Sequence, residues 1–198
     1  GQMTVTDEET KVAIRSARYG GGTIAADYHL TRYAEPYPMT VDFRYDRVSI
    51  EKLFEDWELP ETGLRGGARG KLAYAWNKDD ILGGNGEGTA KLLPGAVAFG
   101  NARFPLDVSG DTRFRLDKGT VHFAPSTLNA PSSDVAFSGS LKIDGVVAAV
   151  ALTVDSRDFA ELDRAGFNFA RATGEKDYEL LGFRGTGTIR GTVKGPLD

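Results

Sequence analysis

Residues 39–46 read MTVDFRYD, and their alternation decides the fold. In an extended chain successive side chains point to opposite sides, so Met39, Val41, Phe43 and Tyr45 share one face while Thr40, Asp42, Arg44 and Asp46 share the other. One side asks for an apolar neighbour and the other for water. The same period places Leu72, Tyr74 and Trp76 together, then Phe114 with Leu116, then Val121 with Phe123 beside an outward His122.

Glycine punctuates these stretches rather than collecting in one linker, which is the grammar of strands and turns. GGNGEG at 83–88 reads as a hairpin loop, since Gly and Asn suit left-handed turn positions. In GVVAAVALTVD at 145–155, Val146, Ala148, Val150, Leu152 and Val154 alternate with Val147, Ala149, Ala151 and Thr153, so a strand covered on both sides is expected. Helix is expected in two short pieces. One is SIEKLFEDW from Ser49, an acidic, solvated helix; the other is DFAELDRAG, with Asp158 and Glu161 as a capping box and Gly166 as its stop.

The closing GFRGTGTIRGTVKGPLD brings Gly185, Gly187 and Gly191 near a dinucleotide-binding spacing. That chemistry needs a helix start to hold the pyrophosphate, and no helical run follows. The stretch reads instead as two strands bent at glycines.

Composition narrows the function classes. The chain has 198 residues, enough for one large domain, and a net charge of −4 from 24 basic and 28 acidic residues, with no basic cluster to attract nucleic acid. Without cysteine there are no disulfides, thiolate metal sites or cysteine nucleophiles. No apolar run approaches the roughly 20 residues of a membrane-spanning helix. Gly1-Gln2 ahead of Met3 reads as a cloning remnant, and the chain as an excised piece of a longer protein.

A repeat appears when Val41 is superposed on Val154 and Arg65 on Arg184. Each helix piece follows a TVD strand and precedes a strand rich in Arg and Gly, giving approximate copies at 11–95 and 112–198 within one continuous unit, 1–198. Such units bury their apolar faces by stacking end to end. The expected fold is all-β, an elongated, curled, mostly antiparallel sheet with two short helices. Alternation alone suits a closed sandwich or barrel core as well as an open groove; the repeat favours the groove.

The stretches FSGSLKIDG, LTVDSRDFAELD and GFRGTGTIRGTVKGPLD resemble the recurring pattern of the AsmA/TamB-like family of the Gram-negative envelope, and the likeness covers most of the chain. The resemblance implies a TamB-type β-taco in the periplasm, anchored in the inner membrane by a helix outside this sequence. It implies lipid transport: passage of phospholipid acyl chains along a hydrophobic groove between the inner and outer membranes. It also implies a role in outer-membrane protein assembly beside an Omp85-type barrel partner. It carries no catalytic motif and no cofactor, and the acidic helix EKLFEDWELPE departs from a plain strand array.

Burying a methylene is worth about 0.8 kcal/mol, and strands of five or six residues span about 17–20 Å, close to the length of an acyl chain. The groove lining is assigned to Val41, Phe43, Leu72, Tyr74, Trp76, Phe114, Leu116, Val121, Phe123, Val150 and Leu152. Two other classes stay open: a carbohydrate-binding module using aromatics such as Trp57 and Trp76, and a purely structural envelope scaffold. The carboxylate pairs Asp155 with Asp158 and Glu55 with Asp56 have the types a glycosidase needs, but capping and solvation account for them. His29 and His122 fall on polar sides of strands and lack the further ligands a metal requires. An enzyme is therefore not expected.

Overall fold

The computed structural model describes residues 1–56, 63–95, 103–145, 147–172 and 174–196. Eleven strands make one antiparallel sheet in which each strand lies beside its neighbour in the chain. They are β1 (Gln2–Val5), β2 (Thr10–Tyr19), β3 (Gly22–Leu30), β4 (Pro38–Ser49), β6 (Gly67–Asn77), β7 (Asp80–Leu93), β9 (Ser109–Asp117), β10 (Thr120–Asn129), β11 (Ser133–Lys142), β12 (Val147–Ser156) and β13 (Gly187–Pro196). The two-residue strands β5 (Leu64–Arg65) and β8 (Leu106–Asp107) pair with each other outside this sheet. The sheet is not closed: β1 and β13 are its edges.

Turn chemistry sets the hairpins. Tyr19 pairs with Gly22, leaving Gly20-Gly21 as a two-residue loop with both φ angles positive, +52° and +79°. That is the turn whose twist matches antiparallel strands. Lys118-Gly119 closes β9 to β10 in the same way. Register slips at Ile14/Ala17, Tyr45/Val48 and Phe123/Ser126 put bulges into β2, β4 and β10, which bend those strands.

Helix α1 (Ile50–Asp56) joins β4 to β5, and α2 (Phe159–Ala172) precedes β13. Since β4 and β12 run in the same direction in the antiparallel order, both helices leave the same end of the sheet. The core sits at that end. Ile50, Ala68 and Val108 are buried there, with Tyr45, Leu53, Phe54, Leu64, Leu92 and Leu128 packed around them. Ser49 caps α1 by accepting the Lys52 amide at 3.2 Å. Trp57 lies outside the described residues, as does Val146.

Polar side chains dock α2. Asp158 caps it through the Ala160 amide at 3.0 Å, but Glu161 does not complete the expected capping box. Its buried carboxylate turns away and accepts the Ser132 amide at 3.0 and 3.1 Å, tying α2 to the β10–β11 turn. Asp163, also buried, accepts the amides of Leu181, Gly182 and Phe183 at 3.0, 2.8 and 3.3 Å. Asn168 bonds both backbone groups of Phe104, whose ring meets Phe167 edge-on at 5.4 Å. The helix therefore runs through Gly166, the expected stop, because contacts on both sides of that residue hold it.

One other expectation is corrected. The closing stretch forms one strand, β13, since 181–183 are drawn out of any ladder by Asp163. The register also places Val48 of β4 and Val154 of β12 on one row across the sheet.

Candidate functional site

Cross-strand register builds one apolar face. Phe43 lies opposite Leu72, then the row continues through Gly88, Phe114, Phe123, Gly139 and Val150 to Val193. A second row runs Val41, Tyr74, Gly86, Leu116, Val121, Leu141 and Ala148. Trp76 stands opposite Met39, and Leu152 opposite Phe137. All the residues assigned to the lining thus share a face, together with Tyr28, Tyr45, Phe137 and Leu141. The alternation in GTIAADYHL and DVAFSGSLK carries the signal for Tyr28, Phe137 and Leu141.

Among the described residues this face has no second layer over most of its width; α1, β5 and β8 cover the helix end. Val48, Ala68 and Val154 at that end are buried, whereas Val41, Phe43, Leu72, Phe114 and Val150 are half-buried. The β12 strand is not covered on both sides either: Val147, Ala149 and Ala151 are exposed on the opposite face. Small side chains lose little by facing water, so two apolar faces there do not require two layers.

Rings lie on glycines. GGNGEG belongs to β7 rather than to a loop, and the hairpin turn falls at Lys78-Asp79. A Cβ at Gly88 would stand 2.3 Å from the Phe114 ring, and one at Gly84 or Gly86 would stand 2.7 Å from that of Tyr74. Tyr45 crosses Gly70 to donate its hydroxyl to the Thr89 carbonyl at 3.0 Å. Burial pushes its phenol up to about 12 and raises that of Tyr74 too. Tyr74 stacks on Trp76 at 5.5 Å, and Trp76 meets Tyr28 at 6.2 Å. The aromatics pave the sheet as well as projecting from it.

The opposite face carries a concavity of about 970 Å³ across β4, β6, β7, β9 and β10. Its lining takes both chain neighbours of Phe43, Leu72, Gly88, Phe114 and Phe123, and none of the next residues on the apolar face. The concavity therefore opens on the polar side, with the apolar row supplying only its floor.

Charged pairs on the surface are engaged elsewhere. Glu55 and Asp56 bind Lys52 at 2.9 and 2.6 Å; Asp155 accepts the Thr188 hydroxyl, and Asp158 faces Arg164 at 3.8 Å. His29 meets Glu9 at 2.7 Å, and Lys11 with His29 holds that carboxyl below its ordinary range. His122 belongs to the polar concavity. Among the described residues no group of three His, Cys, Asp or Glu side chains is placed to hold a metal. No family model matches the chain, and comparison with curated proteins and with solved structures likewise gives no match.

Proposed function

We propose that this chain is a segment of an AsmA/TamB-like envelope protein whose uncovered apolar face carries phospholipid acyl chains between the inner and outer membranes. One observation carries the reading: apolar rows pass from strand to strand, and among the described residues no layer lies above most of their width. An apolar surface of that extent on a folded protein marks a place where something apolar docks. An acyl chain laid across the rows gains about 0.8 kcal/mol for each methylene removed from water. Assembly of outer-membrane proteins beside an Omp85-type barrel, with an inner-membrane anchor outside this sequence, belongs to the same proposal.

Native mass spectrometry of protein never exposed to detergent, followed by lipid extraction from the same sample, tests the reading. Co-purifying phospholipid is expected, and folded Phe114→Asp or Val150→Asp proteins should retain none. A lipid-free mass, or full retention by both folded variants, would sink it. The ring cluster of Tyr28, Tyr74 and Trp76 favours a second reading, stacking on sugar rings. A glycan-array signal lost in Trp76→Ala would move that reading ahead.

A further inference from the structure

The polar concavity has a charge pattern that the apolar face does not use. Register places Arg44 of β4 directly opposite Lys71 of β6, and the same line continues through Thr89 of β7 to Arg113 of β9. Like charges facing one another across adjacent strands are destabilising. Where Arg69 of β6 faces Lys91 of β7, a nearby acid relieves such crowding: Arg69 bonds Asp46 at 2.9 Å. Among the described residues, the side chains of Arg44, Lys71 and Arg113 enter no ion pair. Arg115 also lines the hollow but is paired with Asp117 at 3.4 Å, so the three unpaired cations stand against the two acids Asp42 and Glu87. A locally basic hollow thus sits on a chain of net charge −4.

We propose that this hollow binds a phosphate-bearing anion, held by Arg44, Lys71 and Arg113. Neighbouring strands are about 4.8 Å apart, so the two guanidinium stems rise about 14 Å from each other with the ammonium between them. All three side chains are long enough to lean onto one group. Guanidinium donors match phosphate oxygens in pairs, and a bound anion removes the repulsion that the empty row carries. The site lies on the face opposite the apolar rows, so it does not depend on the lipid reading.

Two probes at low ionic strength test it: inorganic pyrophosphate by calorimetry, and vesicles of phosphatidylcholine with or without phosphatidylglycerol by co-sedimentation. Binding of pyrophosphate points to a soluble phosphate ester, and binding only to vesicles containing phosphatidylglycerol points to a lipid headgroup; either supports the site. In both cases Arg44→Gln/Arg113→Gln, a variant at two exposed positions whose folding is checked by circular dichroism, should weaken binding about tenfold or more, and Lys71→Gln should weaken it further. Absence of binding to both probes, or variants that bind as well as the parent protein, would overturn the proposal.

Discussion

Asp163 is a single side chain that holds a whole segment. Its carboxylate gathers three consecutive amides, from Leu181 to Phe183, that have no ladder to join. Asp163→Asn keeps the shape but turns a donor toward amide hydrogens, so a loss of about 1–3 kcal/mol is expected in urea unfolding. Hydrogen exchange should locate the damage at 181–183 rather than in the strands. Tyr45 makes a pH-dependent contribution of known sign. The folded protein holds its phenolic proton more tightly than the unfolded chain, with titration moved from 10.0 to about 12. The stabilisation is complete below about pH 10 and disappears as pH rises toward 12. The urea midpoint of the parent protein should therefore drop across that interval, and that of Tyr45→Phe should drop less.

At the scale of elements, strands and rings are coupled through glycine. Gly88→Val would drive a branched side chain into the Phe114 ring, and a cost of about 1–3 kcal/mol is expected. Phe114→Ala should recover part of it, so a double-mutant cycle on the two positions should show non-additivity. These elements also mark the limits of sequence reading. The period-two alternation of β4, β6, β9 and β10 is a local signal, and it fixes both those strands and the face that each assigned residue on them occupies. Pairing between a glycine and a ring is not local: nothing in GGNGEG names Phe114, and turn propensity favoured a loop. The ends of α2 were hidden for the same reason, since Glu161 finds its partner at Ser132 and Asp163 finds its partners beyond the helix. In β12 the alanines of the outer face looked like a buried surface because composition does not tell a tolerated small side chain from a covered one. The row of unpaired cations needs register, which no single strand contains.

Among its described residues the whole molecule is a sheet whose apolar side is covered at one end. A dye that fluoresces on apolar surfaces should bind the native protein at neutral pH, and its signal should fall in a single step with unfolding. Absence of native-state binding would mean that the face is too well paved by its own rings to accept a ligand. Both edges are open, and every residue of β1 is exposed. Unpaired edge groups of this kind template further strands, so concentration-dependent association blocked by Val5→Lys or Ile189→Lys is expected in sedimentation velocity.

Strand order that follows chain order has a mechanical meaning. A pull on the two ends of this chain draws β1 and β13 away from opposite margins of the sheet, across the strands rather than along them. Hydrogen bonds loaded in that direction break a pair at a time instead of all together. Stretched between two anchors, the chain would pay out length strand by strand under a low and nearly constant force, yielding as an extensible tether rather than snapping like a clamp.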